Sequence, residues 1–485
     1  MPHPLSNLQP QPLWDIFQEI CEIPHPSGKL EKIIDYVKNF GEKFGLETSV
    51  DEVGNVLIRK PATPGMENRK VVVLQTHLDM VPQKNNDTAH DFEKDPIDAY
   101  VDGEWVTAEG TTLGADNGIG MAATLAILAS NDIPHGPLEA LFTIDEEVGL
   151  VGAFEVKPDV LKGDILLNLD TEEDPDFYIG CAGGMDSIIE FPYETVELPA
   201  DMQTYQLTIS GLKGGHSGAD IHLGRGNANK IIDRILWKGT KEFGLRLSQL
   251  HGGSLPNAIP REAIASIAIP QNHDETFKQF VLDLTKTIRT ELATVEPGLK
   301  ISIKPTEINN LMDEKSQAQL LNLIYSFPNG VLGMCADIPD LVETSSNFAV
   351  IKSEDKKIAI ITSQRSSVDS IKQSVSNMID ALCALSKVSV KHVSQYPGWK
   401  PNVNSPILKT VQKVYEAQTN EKPNIKAIHA GLECGLIGKS YPEMEMVSFG
   451  PTIKDAHSPD EKVSIKSVMK FWNILLGVLK NIDTK

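Results

Sequence analysis

Two polar residues close an apolar run, Val71-Val-Val-Leu-Gln-Thr-His77-Leu-Asp79-Met80. On a strand, residues i and i+2 share a face, so His77 and Asp79 would stand together. A neutral imidazole is a good metal ligand, and a neighbouring carboxylate can accept the ring's other N–H and set its tautomer. Four more groups have the same character: Asp116 in Gly114-Ala-Asp-Asn-Gly118, the pair Glu146 and Glu147 in Asp145-Glu-Glu-Val-Gly149, Asp170 after a third apolar run, and His457 in Lys454-Asp-Ala-His-Ser-Pro459. Two histidines and three carboxylates form a mixed nitrogen and oxygen donor set that suits zinc, cobalt or manganese. Two metal ions about 3.5–4 Å apart need one bridging carboxylate and two terminal ligands each. His77, Asp170, Glu147 and His457, with Asp116 bridging, meet that count. Glu146 is then spare, and a spare carboxylate is what metal-assisted hydrolysis uses as a general base. Taken singly, each motif is ordinary: a turn, a solvated acidic loop, a cap, a surface histidine. Their recurrence at successive strand ends sets them apart.

The elements that must position them follow from periodicity. Val71–Met80, Leu138–Ile144 and Ile165–Leu169 read as short, continuous apolar runs, the pattern of strands buried on both faces of a parallel sheet. Helical stripes fall at Leu13–Cys21, Leu30–Phe44 and Met121–Ser130, so strands alternate with helices and a parallel α/β sheet is expected. In such sheets ligands bind at the carboxyl ends of the strands, where the polar groups lie. From about Asp186 to Pro397 the texture changes to α+β, with a similar element order repeated twice. Pro397-Gly-Trp-Lys-Pro401 reads as a linker back, and helix–strand alternation resumes after about Ser405. The expected architecture is an α/β metal-binding domain of residues 1–185 and 398–485 with a mainly parallel sheet, interrupted by an inserted α+β lid at 186–397 that contains two similar units.

Composition bounds the function classes. A chain of 485 residues exceeds one core. A formal charge of −21 argues against nucleic acid and anionic membrane as partners. Five widely spaced cysteines form neither a disulfide scaffold nor a zinc-finger pattern. The amino-terminal residues lack the basic and apolar regions of a signal peptide, and no apolar run reaches membrane-spanning length, so a cytoplasmic setting is expected.

With these motifs in place, the chain resembles the di-zinc peptidases and amino-acid deacylases that include carboxypeptidase G and the bacterial dipeptidases. The likeness is closer to the Xaa-His dipeptidases of that family in Pro12-Leu-Trp-Asp-Ile-Phe17, Asp79-Met-Val-Pro-Gln-Lys-Asn-Asn-Asp87 and His429-Ala-Gly-Leu-Glu-Cys-Gly435. The resemblance implies two divalent ions per chain, zinc foremost and cobalt or manganese as alternatives. One is held by His77 and Asp170 and the other by Glu147 and His457, with Asp116 bridging and Asp79 orienting His77. It implies hydrolysis of short peptides, including Xaa-His dipeptides such as β-alanyl-histidine, by a metal-bridging water with Glu146 as general base. His216, in Gly214-Gly-His-Ser-Gly218, is implied as the donor that stabilises the oxyanion. Asn257, Arg365 and Gly431 are implied as substrate contacts, Arg365 gripping the terminal carboxylate. A homodimer is compatible with this reading. The length of the insertion leads us to expect that His216 serves its own chain. The alternatives are an N-acyl-amino-acid deacylase of the same fold, or a non-catalytic metal-binding scaffold.

Overall fold

A computed structural model describes residues 4–485, and the chain divides into two compact units. Among the described residues the first comprises 4–181, 399–427 and 432–485; the second comprises 182–398 and 428–431.

The first unit is built on an eight-stranded sheet. At its centre, strands Leu138–Thr143, Val72–His77, Ile165–Asn168 and Glu445–Ser448 lie side by side and run parallel. Every residue of the first three strands is buried, which explains their unbroken apolar runs. Antiparallel strands flank this parallel core: Val56–Lys60 pairs with Leu138–Thr143, and Asp176–Cys181 with Glu445–Ser448. Because the four central strands point the same way, their carboxyl ends open on one edge. His77 closes the first strand of this group in the chain, Asp145–Glu147 and Asp170 follow the next two, and the loop after Ser448 carries His457.

One helix differs from the periodicity-based expectation. It spans Ala115–Ala129 and so begins inside the Asp116 motif, not at Met121. Asp116 and Asn117 have non-helical backbone angles within it, and Gly114 ahead of them takes φ 73°. Gly120 lets the helix lie against the sheet. A Cβ there would come within 2.5 Å of the Leu169 carbonyl oxygen.

The second unit is an antiparallel sheet with helices, ordered by the same rule twice. Strands Met202–Ser210, Arg246–Gly252, Ala263–Pro270 and Lys300–Pro305 stand in the order fourth, first, third, second. Strands Gly183–Pro192, Val342–Glu354, Lys357–Ser366 and Val390–Tyr396 repeat that order. This is the split β-α-β arrangement, and the two sets join edge to edge where His251 and Gly252 meet Lys352 and Ile351. Element order read from sequence begins the second set at the helix of residues 317–326. The structure instead gives it Gly183–Pro192 as first strand, so the first set is nested inside the second. Segment 428–431 also belongs to this unit, although it is distant in sequence. The Ala182 N–H donates to the carbonyls of Ile428 and Ala430, and His429 bonds Ser345.

Candidate active site

In the first unit, His77, Asp79, Asp116, Glu146, Glu147, Asp170 and His457 converge at the open edge of the parallel strands. His77 is buried. Its Nδ1 donates to the carbonyl oxygen of Asp79 at 3.0 Å, which fixes the tautomer and leaves the Nε2 lone pair free to bind a cation. The Asp79 carboxylate, expected from sequence to accept this N–H, lies farther off at 3.4 Å. It has other partners: the Ser27 hydroxyl at 2.7 Å and the N–H groups of Glu146 and Glu147 at 3.0 and 3.3 Å. Asp79 therefore anchors the backbone of the acidic pair as well as the histidine.

His77 Nε2 lies 3.1 Å from one oxygen of Asp116 and 3.3 Å from Asp170. The other oxygen of Asp116 lies 3.3 Å from His457 Nε2, which in turn lies 2.8 Å from Glu147. The donors thus form two sets, His77–Asp116–Asp170 and Asp116–Glu147–His457, each with ligand atoms within 4.8 Å of one another. Asp116 belongs to both and turns a different oxygen to each. Glu146 joins His77 and Glu147 in a third such group. Asn117 steadies Asp170: its Nδ2 donates to the Leu169 carbonyl at 2.9 Å and to the Asp170 carboxylate. Asp145 and His457 are held at positive φ, 48° and 61°. Aspartate and histidine are among the non-glycine residues that adopt this region most readily.

The electrostatics favour cations. Burial opposes charging of His77, but Asp170, Asp116 and Asp79 together hold its pKa well above the ordinary imidazole value. Hydrogen bonds to Asp116 and Glu147 raise His457 to about 11. Burial pushes Glu146 well above the ordinary carboxylate range, reinforced by Asp170, Glu433 and Glu147. Burial also raises Glu147, and lifts Glu172 to about 9 with help from Asp116. So much negative charge around two imidazoles, with two nitrogen-and-oxygen donor sets sharing one carboxylate, fits a pair of divalent cations.

In the second unit, Gly215 and His216 pair with Ile259 and Ala258, beside Asn257. His216 Nδ1 accepts the N–H groups of Gly218 and Ala219 at 3.2 and 2.9 Å, which places the ring proton on Nε2. Burial and Arg365 both lower its pKa, so the ring stays neutral and presents an N–H donor. Arg365 is buried on the strand Lys357–Ser366, and its guanidinium donates to the Tyr396 hydroxyl at 2.9 Å while Nε has no hydrogen-bond partner among the described residues. Ser345 lies opposite Arg365 across the ladder and bonds His429 at 2.7 Å, two residues before Gly431. Burial and Arg365 hold His429 neutral, at about 3.

Residues 73–481 match the family described as Peptidase family M20/M25/M40. The chain is 49% identical, over 99% of both lengths, to the cytosol non-specific dipeptidase of Escherichia coli strain K12. It superposes with a TM-score of 0.95 on the crystal structure of aminoacylhistidine dipeptidase from Vibrio alginolyticus, at 48% identity and covering 99% of this chain and 98% of that one. This chain is an M20/M25/M40 peptidase. The aminopeptidase PepT of Bacillus cereus, at 12% identity and TM-score 0.57 over 98% of this chain and 99% of that one, shares the fold. Among the described residues no helix is long and apolar enough to cross a membrane.

Three acids at this edge escape a motif-based reading. Glu172 sits two residues after Asp170. Glu433 is buried beneath the site, where its Oε2 takes the Gln75 amide at 2.5 Å and burial lifts its pKa to about 7. Glu461 is buried beside the Asp116 loop, and burial lifts it to about 7 as well. Glu172 and Glu461 lie in polar runs that read from sequence as solvated loop, with the acid-rich spacing Asp170-Thr-Glu172-Glu173 as a signal for the first, whereas Glu433 is a lone acid among apolar residues and glycines in the stretch His429–Gly435.

Proposed function

We propose that this peptidase is a dipeptidase acting on short peptides, Xaa-His dipeptides such as β-alanyl-histidine among them, with a two-cation site in the first unit. The observation that carries the reading is Asp116, whose two oxygens face two histidine-containing donor sets while Glu146 is left over from the bridging count. In this reading His77 and Asp170 hold one cation, Glu147 and His457 the other, and Asp116 both. The mixed donor set favours zinc, with cobalt or manganese as substitutes. When bound, such a pair supplies a Lewis acid for the peptide carbonyl and acidifies water.

The remaining work falls to side chains. Asp79 holds His77 in its ligand tautomer and fixes the Glu146 backbone. Glu146 takes the proton from the attacking water and returns it to the leaving amine. Burial raises the pKa of Glu146, which makes it a better proton acceptor than an exposed carboxylate. His216, neutral and with its proton on Nε2, donates to the oxygen on which charge develops. Arg365, with an unpaired Nε–H, suits a fork that grips the substrate carboxylate, with Asn257 and the Gly431 backbone as further contacts. The names of the two relatives of nearly half identity support the dipeptide substrate, and that of the Escherichia coli relative supports a cytosolic setting.

The test compares turnover of Ala-His and β-alanyl-histidine with N-acetyl-histidine, alongside metal analysis of the purified protein. Preference for the free dipeptides with two cations per chain is expected. Faster turnover of N-acetyl-histidine would make the protein a deacylase, and metal binding with no turnover of any of them would make it a scaffold.

A further inference from the structure

Glu461 lies four residues after His457, and its carboxylate is buried to 2% exposure. Its Oε2 accepts the N–H groups of Leu113 and Gly114 at 2.7 and 3.0 Å, and its Oε1 those of Ala115 and Asp116 at 2.8 and 3.3 Å. Four successive amides therefore converge on one side chain. They lie at the start of the helix Ala115–Ala129, where backbone donors have no partner within the helix. Gly114 offers no side-chain cap. Glu461 satisfies these donors from 345 positions away in the sequence.

The other end of the connection is equally tied. Between His457 and Glu461 the chain forms a closed turn: Glu461 N–H donates to the Ser458 carbonyl, and the Ser458 hydroxyl donates to the Asp455 carbonyl. The Thr107 hydroxyl holds the Glu461 carbonyl at 2.7 Å, and Lys462–Ser464 pairs with the strand Trp105–Ala108. His457 rides on this turn with one face toward Asp116 and Glu147. His77 and Asp170, by contrast, stand at the ends of parallel strands, and of the donor set they form with Asp116 only Asp116 is held by Glu461.

We infer that Glu461 is a positioning residue: by clamping the Asp116 backbone to the His457 turn, it sets the spacing of the Asp116–Glu147–His457 donor set and hence the affinity for the cation held there. The inference rests on the ligand assignment proposed above. It predicts an asymmetry of degree: the clamp holds both Asp116 and the His457 turn for one cation, but only Asp116 for the cation of His77 and Asp170.

The chemistry requires a carboxylate. A glutamine is nearly isosteric, but its NH2 would face two N–H donors and leave both unpaired. In Glu461→Gln, competitive-chelator titration with Co2+ as the probe should show one of two cations bound about 10–100-fold more weakly, the range found when a partner of a metal ligand is lost. The other cation, which shares only Asp116 with the clamp, should weaken markedly less, and turnover should recover at high Co2+. Glu461→Asp keeps the charge but falls one methylene short, so it should weaken the same cation by less; it serves as the test if the glutamine variant does not fold. Equal weakening of both cations would overturn the inference. So would unchanged affinities with a lower melting temperature of the chelator-treated protein, which would make Glu461 only a structural cap. Wild-type protein binding a single Co2+, or His457→Ala leaving both affinities intact, would instead refute the ligand assignment beneath it.

Discussion

Replacing Glu146 with glutamine separates its proposed role from those of its neighbours. The substitution keeps the shape, and the anchor of this residue is its backbone N–H on Asp79 at 3.0 Å, which glutamine retains. His77, Asp116, Glu147, Asp170 and His457 are untouched, so both cations should remain, while the proton acceptor is lost. General-base catalysis contributes about 10²–10⁴-fold, so kcat should fall by that factor, or roughly 3–5 kcal/mol in the barrier at about 1.4 kcal/mol per decade. KM should change little. A second readout concerns the chelator-treated protein. Glu146 has a folded pKa raised by burial and by Asp170, Glu433 and Glu147. A raised carboxylate gives stability that is fully present below its unfolded pKa and lost as pH rises through the folded value. Without metal, the glutamine variant should therefore melt at or above the wild-type temperature at neutral pH, and the gap should close as pH falls below the ordinary glutamate range. The assays are steady-state kinetics on Ala-His, metal analysis, and thermal melts at two pH values. Turnover within tenfold of wild type, or loss of a cation, would refute the assignment; the latter would exchange the roles of Glu146 and Glu147.

Asp116→Ala should weaken both cations, since each donor set uses one of its oxygens, whereas His77→Ala should mainly weaken one; calorimetric titration of each variant with Zn2+ checks this. Arg365→Lys should raise KM for dipeptides about tenfold or more through loss of the planar fork, yet leave a carboxyl-amidated dipeptide unaffected; equal effects on both would remove Arg365 from carboxylate recognition. His216→Ala should lower kcat about 10²–10³-fold, the usual cost of one oxyanion donor, with metal content unchanged. Mixing inactive Glu146→Gln and His216→Ala chains under subunit exchange should leave the mixture inactive, and recovered activity would show that the histidine serves a partner chain.

The sequence alone determined which residue types close the buried strands. Continuous apolar runs must be buried on both faces, and the residues that close them must face whatever the sheet edge opens onto. That is why His77, Glu146, Glu147 and Asp170 could be read together, and why the mixed donor set implied divalent metal. The tertiary structure decided the partnerships. Asp116 turns one oxygen to each imidazole only because its helix starts early and departs from helical angles. His77 is oriented chiefly by the carbonyl of Asp79, a backbone group that side-chain types do not reveal. Gly183–Pro192 completes a set of four strands whose other members follow more than a hundred residues later, and residues 428–431 join the second unit although their neighbours on both sides belong to the first. Glu461 reads as one acid in a polar loop until folding brings four amides to it. Such pairings depend on hydrogen bonds between residues hundreds of positions apart, and local periodicity records the face a residue presents but not the partner that meets it.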